Sequence, residues 1–178
     1  MEELTCLLHR AYADHAAAGR IFFASYQSLL DTAHRLGKGE CWVALRGNAL
    51  VGTVTVAAPH AVPEGYPAPA TAGSFWQLAV DPSERGGGLG QRLLGLAEER
   101  IAALGSAEAV IDTSAQATEL VGWYRRRGER PPRFEMFVAA VAVGYAAGYT
   151  AGIGNEAEQV LGFVTVTALG WLWERWRR

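Results

Sequence analysis

The sequence has few cysteines and little net charge, and each shortage argues against a class of protein. Its two cysteines, Cys6 and Cys41, are too few for a disulfide framework and lack the spacing of metal ligands. A formal net charge of −2 gives no reason to expect nucleic-acid binding. The first residues are acidic and do not have the basic-then-apolar order of a signal peptide. We therefore predict a cytoplasmic protein with no metal and no nucleic-acid partner.

The residues that are present predict one compact α/β domain. The chain has 178 residues, 50% of them hydrophobic, which is enough for one core and leaves little room for a second domain. Helical spacing predicts helices over 3–18, 25–36, 89–104 and 118–127, the second with Tyr26, Leu29, Leu30, Ala33 and Leu36 facing inward. β-Branched and alternating runs predict a hairpin over 41–56 and strands over 74–80 and 109–113. This order of elements indicates a mixed sheet layered with helices.

Four glycines, at positions 86, 87, 88 and 90, crowd the junction between the strand at 74–80 and the helix that follows. Without Cβ atoms they let a ligand approach the backbone, and the N–H groups of a first helical turn have no intrahelical partner. Those donors and the positive end of the helix dipole favour an anion, most naturally a phosphate. A tight strand–helix turn with no ligand is the alternative.

Two nucleotide-binding patterns fail at this junction. The P-loop pattern is absent because no lysine follows the glycines. The G-x-G-x-x-G fingerprint is absent because Gln91 stands three residues after Gly88. What remains is R-x-x-G-x-G, from Arg85 to Gly90, after a strand that ends in Val-Asp-Pro.

Two motifs together resemble the GNAT superfamily of N-acyltransferases. The stretch Leu78–Pro82 followed by Arg85–Gly90 is similar to the acyl-CoA-binding motif of that family. The helix end Trp123–Gly128 resembles the next motif, in which a tyrosine closes a helix four residues before a glycine. The resemblance covers about residues 3–129. It implies an α/β fold with a mixed, mainly antiparallel central sheet flanked by helices, and a catalytic domain over residues 1–130.

The resemblance also implies a site for acetyl-CoA as co-substrate. In this family the pantetheine arm pairs with the backbone of the strand that precedes the glycines, which splays from its neighbour near a bulge. The pyrophosphate lies on backbone N–H groups of the loop, where an arginine adds charge. Carried onto this chain, the cofactor-binding residues are Leu78, Ala79, Val80, Arg85, Gly86, Gly87, Gly88, Leu89, Gly90 and Gln91.

The chemistry that the resemblance implies is attack of a neutral primary amine on the thioester. Tyr124 is then the general acid for the CoA thiolate, since a phenol can donate and is neutral at physiological pH; packing in the core is its alternative role. Asp112, at the end of the second parallel strand, is either the general base or a cap of the turn that follows. Ala117 stands where some relatives keep an asparagine that binds the cofactor.

The acceptor is predicted to be a small-molecule or peptide amine, selected by the Pro-rich loop 57–73 and the N-terminal helices. Glu40, Trp42 and His60 are candidate lining residues. The oligomeric state is left open, and a homodimer is compatible with the sequence. An acyl-CoA-binding or sensory module without catalytic activity is the alternative to the enzyme.

The resemblance ends near Gly128, and residues 131–178 form an atypical apolar segment. One interpretation is a membrane-anchoring helical hairpin within residues 136–173, with glycines at four-residue spacing and arginines beyond both outer ends. A second makes Phe134–Val143 and Phe163–Leu169 the final strands of the sheet. A third is a shifted reading frame that replaced the usual ending. Only the first predicts contact with a membrane.

Overall fold

The computed structural model of the protein describes residues 1–20, 22–57, 71–114, 116–126 and 133–139, and for Asp112 and residues 133–139 it describes the backbone. The chain divides into two units, Met1–Val138 and Ala139–Arg178. Predictions for most of the loop 57–73, for His60 and for the chain after Ala139 lie outside the described residues. No helix within the described ranges is long and apolar enough to cross a membrane.

The described residues form four α-helices and five strands. The helices are α1 (Glu2–Ala17), α2 (Leu29–Leu36), α3 (Leu89–Ala103) and α4 (Thr118–Arg125), with short 3-10 turns at Phe23–Ser25 and Pro82–Glu84. The strands are β1 (Gly39–Arg46), β2 (Ala49–Ala57), β3 (Gly73–Val80), β4 (Glu108–Ser114) and β5 (Arg133–Ala139).

These strands lie in one sheet in the order β1-β2-β3-β4-β5. β2 is antiparallel to both β1 and β3, whereas β3 and β4 are parallel. The predicted mixed, mainly antiparallel sheet flanked by helices is confirmed. β5 coincides with the first part of the predicted final strand Phe134–Val143.

The larger core lies between α3 and one face of the sheet. Val54 and Val56 alternate along β2 toward this face, and α3 presents its apolar residues at helical spacing. At Gly73 an added Cβ would stand 2.5 Å from Cγ2 of Ile101, so α3 packs directly on the strand backbone. The buried members are Val54, Val56, Phe75, Leu93, Leu94, Ala97, Ile101, Ala109, Ile111 and Tyr124.

A smaller core on the opposite face holds α1 against the sheet. Its buried members are Leu4, Leu7, Leu8, Ala11, Leu50 and Ala79. Leu7 and Leu8 are fully buried, and burying one such side chain contributes roughly 1.5–3 kcal/mol. The predicted helix over 3–18 is therefore confirmed.

The second helix begins later than the sequence pattern predicts. Ser28 caps it: the Ser28 hydroxyl accepts the N–H of Asp31 at 3.1 Å, and the Asp31 carboxylate accepts the N–H of Ser28 at 2.7 Å. This capping box starts α2 at Leu29 rather than at residue 25.

The predicted inward face of this helix is wrong in its first part, whereas Leu36 does pack against the smaller core. Tyr26, Leu29 and Leu30 are 42%, 45% and 78% exposed, whereas Thr32 is fully buried. The Thr32 hydroxyl accepts hydrogen bonds from the Thr5 hydroxyl at 2.8 Å and from the Gln27 amide at 2.6 Å. A polar side chain faces inward here because its hydrogen bonds are satisfied inside the fold.

Ser28→Ala should lower the free energy of unfolding by about 1 kcal/mol, because it removes the acceptor for the N–H of Asp31. Leu30→Ala, at a position 78% exposed, should change it by no more than about 0.5 kcal/mol. Urea denaturation of both variants measures the difference. Equal effects would contradict the cap.

Candidate functional site

A glycine-rich loop joins β3 to α3 and takes its shape from a few backbone positions. The Asp81 carboxylate accepts the N–H and the hydroxyl of Ser83 at 3.1 and 2.7 Å, which starts the 3-10 turn after β3. Gly86 and Gly88 have φ values of +83° and +78°, which a residue with a Cβ rarely adopts. α3 then begins at Leu89, with Gly88 as its N-cap.

The first turn of α3 presents backbone donors toward open space. The N–H of Arg92 donates to the carbonyl of Gly88 at 3.1 Å. The N–H groups of the three preceding residues, 89–91, therefore have no carbonyl partner within the helix. Nothing in the described chain stands within 4 Å of an added Cβ at Gly86 or Gly88. This combination of space and aligned donors can hold an anion.

The strands β3 and β4 are paired at their beginnings and then separate. Within the described residues the parallel register consists of Gly73 with Ala109 and Ser74 with Val110. The predicted pantetheine-binding residues, Leu78–Val80, lie on β3 beyond these pairs. The divergence agrees with what the family resemblance implies.

The β2–β3 pair contains a bulge next to this divergence. Thr55 is paired with Trp76, and Thr53 is paired with Ala79. Two steps along β2 thus correspond to three along β3, which places one extra residue in β3. The bulge, too, agrees with the resemblance.

α4 brings Tyr124 against β3. Tyr124 is 8% exposed, and its ring centroid lies 6.3 Å from that of Phe75 and 4.9 Å from that of Trp123. Gly90 lies in the first turn of α3, and a Cβ placed on it would lie 3.9 Å from the Trp123 ring. Tyr124 and the first turn of α3 therefore lie close to the same junction of β3, α3 and α4.

Asp112 lies on β4, two residues beyond the last described pair with β3. The turn after β4 is closed by Ser114, whose hydroxyl accepts the N–H of Gln116 at 3.3 Å. The Ser114 carbonyl accepts the N–H of Ala117 at 2.9 Å. The backbone thus places Asp112 on the diverging part of β4.

In the described part of the chain, three ion pairs hold the loop to its neighbours, and the sequence reasoning missed them. They are Arg10–Asp81 at 2.9 Å, Asp14–Arg85 at 2.6 Å and Arg46–Glu84. The partners in each pair are 71, 71 and 38 residues apart. No local sequence pattern indicates such pairs, because two of them join the loop to α1 and the third joins it to the end of β1.

Arg85, predicted to add charge at the pyrophosphate, is anchored to α1. Its guanidinium donates to the Asp14 carboxylate at 2.6 Å and to the carbonyl of Ala11 at 2.7 Å. The side chain remains 44% exposed. Arg85 therefore holds the loop on α1 and presents its charge from that position.

The loop carboxylates are stabilised in their charged form. Hydrogen bonds from the Ser83 side chain, and then from Arg10, hold the pKa of Asp81 below its ordinary value. The hydrogen bond from Arg46 lowers the pKa of Glu84 in the same way.

Glu40 and Trp42, candidates for the acceptor pocket, instead contact α3. Glu40 pairs with Arg100 at 2.8 Å, and the Arg100 guanidinium lies 5.9 Å from the centre of the Trp42 ring. Both side chains thus lie on the α3 face of β1.

A cavity of about 380 Å³ lies between α3 and the end of the β1–β2 hairpin. Its lining shares Gly87 and Leu89 with the loop and includes the Arg46–Glu84 pair. Within the described ranges, no three His, Cys, Asp or Glu side chains cluster so as to hold a metal ion.

The model of the acetyltransferase (GNAT) family matches residues 5–128, a range that contains both the glycine loop and Tyr124. The chain belongs to this family. The GNAT resemblance predicted from the sequence is thereby confirmed, and acyl transfer is the general activity that membership supports. Curated proteins give no significant match.

Solved structures share the GNAT fold with this chain. A proposed acetyltransferase from Pyrococcus horikoshii has a TM-score of 0.53 and 20% identity, over 71% of this chain and 81% of that one. A GNAT acetyltransferase from Staphylococcus aureus has a TM-score of 0.53 and 17% identity, over 71% and 76%. AAC(6′)-Iy, in complex with the bisubstrate analogue CoA-S-monomethyl-acetylneamine, has a TM-score of 0.51 and 17% identity, over 79% and 91%.

Asp81→Asn should reduce the dependence of stability on acidic pH. The folded-state pKa of Asp81 lies below the ordinary value of 3.8, so its stabilising contribution is present above pH 3.8 and is lost as pH falls through the lower value. Thermal unfolding scans should show a smaller decrease in Tm between about pH 5 and pH 2 for this variant than for the wild type.

Asparagine can still accept the Ser83 hydrogen bonds through Oδ1, so the variant removes the charge together with the hydrogen bonds that Arg10 donates to Oδ2. Glu99→Gln, at an exposed position on α3, serves as the control and should follow the wild-type profile. A profile of Asp81→Asn that coincides with the wild type would contradict the role of this carboxylate.

Proposed function

We propose that the protein is an N-acetyltransferase that transfers an acetyl group from acetyl-CoA to a primary amine by direct attack in a ternary complex. The observation that carries the proposal is the meeting, inside the matched GNAT region, of the open helix N-terminus, the diverging strands β3 and β4, and Tyr124. The proposed catalytic domain is residues 1–130. The proposal includes no metal and no nucleic acid.

The loop residues fit the diphosphate of CoA. Gly86 and Gly88 leave open space where side chains would otherwise project. A Cβ placed on Gly87 would meet only the Glu84 carbonyl oxygen, at 3.6 Å. The N–H groups of residues 89–91 provide the donors, and Arg85 adds positive charge from its anchored position. AAC(6′)-Iy, which shares the fold, is described with a CoA-containing analogue, and this supports the assignment.

We assign the pantetheine arm to the edge of β3 that faces the divergence. An extended chain can pair with a strand edge that lacks a neighbour. The backbone of Leu78, Ala79 and Val80 lies along this edge beyond the last described pair with β4. The Leu78 carbonyl also accepts the Tyr12 hydroxyl at 2.9 Å, which holds this part of β3 to α1.

Bound acetyl-CoA supplies the thioester. In the transfer, the nitrogen of the neutral amine bonds to the carbonyl carbon, the carbon–sulfur bond breaks, and the sulfur takes a proton. We assign that proton to the Tyr124 hydroxyl, because Tyr124 packs against β3 beside the proposed pantetheine edge. Asp112, on the diverging part of β4, is assigned as the base that removes the proton from the amine.

The acceptor is proposed to be a small-molecule or peptide amine. Calorimetry with acetyl-CoA together with a thiol-release assay over an amine panel tests the whole proposal. Binding without turnover on any amine would favour an acyl-CoA-binding module. Failure to bind acetyl-CoA would overturn both.

Gly88→Val should abolish acetyl-CoA binding in calorimetry while the domain remains folded, because the new side chain enters the space assigned to the diphosphate. Gly47→Val is a matched control in the β1–β2 turn. Both glycines have positive φ, +78° and +59°, and neither has an atom within 4 Å of an added Cβ. The two variants should therefore share a backbone strain of about 1–2 kcal/mol. Unchanged affinity in Gly88→Val, or equal loss in both, would contradict the phosphate site.

Tyr124→Phe should lower kcat by at least about tenfold, because it removes the proposed proton donor and keeps the ring. The acetyl-CoA affinity should stay within about twofold of the wild type, since the phenol is assigned to the chemical step. Steady-state kinetics and calorimetry measure the two quantities, and a Tm scan verifies that the core is intact. Unchanged kcat would remove Tyr124 from the mechanism.

A further inference from the structure

The strand assigned to the cofactor also carries two buried N–H donors that have no acceptor. Nε1 of Trp76 and Nε2 of Gln77 are both buried, and neither has a hydrogen-bond partner among the residues that the structure describes. Gln77 as a whole is 4% exposed. A buried donor left unpaired is unfavourable, because it has lost its hydrogen bonds to water without gaining others. Two such donors on adjacent residues therefore point to a ligand.

Gln77 also has an unusual backbone conformation. Among the described residues, Gln77 is the only residue other than glycine that has a positive φ, and its value is +54°. This left-handed conformation is strained for a residue with a Cβ, because the Cβ approaches the following carbonyl oxygen. Strain of this kind is concentrated at functional sites, where the surrounding structure holds the residue in place.

The bulge brings both side chains to the same face of the sheet. Trp76 is paired with Thr55 on β2, and the Thr55 hydroxyl donates to Oε1 of Gln77 at 3.0 Å. Phe75, one residue earlier, packs in the α3 core on the other face. Arg35 of α2 lies over the Trp76 ring, 5.7 Å from its centre. The two donors therefore lie on the α1–α2 face of β3.

We propose that Trp76 and Gln77 recognise the acceptor by binding a carbonyl or carboxylate oxygen of the amine substrate. This inference rests on the proposed function and names the substrate class of that site. An ammonium group has no lone pair, and the single lone pair of the neutral amine is the one that attacks the thioester, so these donors recognise another part of the acceptor. The positive charge of Arg35 beside Trp76 favours an oxygen that carries negative charge.

The substrate class is therefore amines that carry a carbonyl or carboxylate oxygen, such as amino-acid amides and peptide amino termini. Simple alkylamines lack this oxygen and leave both donors unpaired. A site built to pair a buried polar group discriminates strongly against an analogue that lacks the partner.

Gln77→Gly is the informative variant. Glycine adopts a φ of +54° without strain, so the fold should be retained while the amide donor is lost. The probes are glycinamide, diglycine and propylamine, assayed by thiol release with acetyl-CoA. The wild type should prefer glycinamide and diglycine over propylamine by at least about tenfold in kcat/KM.

Gln77→Gly should lose most of this preference through a raised KM for the two oxygen-bearing amines, with acetyl-CoA affinity unchanged. Trp76→Phe, which keeps an aromatic ring but removes the N–H, should lose part of it. Gln116→Gly, which removes an exposed amide outside β3, should keep the wild-type preference.

An unchanged preference in Gln77→Gly would overturn the inference. A wild type that binds acetyl-CoA but turns over neither oxygen-bearing probe would also overturn it. Loss of acetyl-CoA affinity in Gln77→Gly, with affinity retained in the other variants, would overturn it as well, because that result places Gln77 at the cofactor. A wild type that does not bind acetyl-CoA contradicts the proposed function itself.

Discussion

The arrangement of the site depends on incomplete pairing along β3. β2 pairs with this strand from Phe75 to Val80, whereas the described ladder to β4 consists of Gly73–Ala109 and Ser74–Val110. Backbone N–H and carbonyl groups are obligatory hydrogen-bonding groups, so a strand edge that leaves its neighbour inside a fold favours another extended partner. The glycine loop follows this edge, and α4 places Tyr124 against the strand itself.

Two kinds of constraint hold the loop in position. The left-handed values at Gly86 and Gly88 set its path, and ion pairs connect it to α1 and to the end of β1. A single exposed ion pair contributes about 0–1 kcal/mol, so these pairs add little to global stability. Their effect is on orientation, because they tie the first part of the loop, residues 81–85, to neighbouring elements. The donors at the start of α3 are thus directed before any ligand binds.

The glycine loop was predicted from local sequence, and the start of the second helix was not. The loop could be recognised because a tight strand–helix turn with positive φ needs glycines at short spacing. Apolar periodicity failed at Leu29 and Leu30, where the structure has exposed side chains. The capping sequence from Ser28 to Asp31 was a readable signal for the true start of that helix.

The sequence alone determined most of the elements, the family and the location of the glycine loop, because helices, strands and tight turns follow mainly from residue types a few positions apart. The tertiary structure decided how Arg85 is used, which face of the second helix is buried, and that Gln77 occupies a bulge with its donor unpaired. These properties depend on contacts between residues far apart in the chain, such as Arg85 with Asp14 and Gln77 with Thr55. Such contacts produce no periodic pattern in the sequence from which they could be predicted.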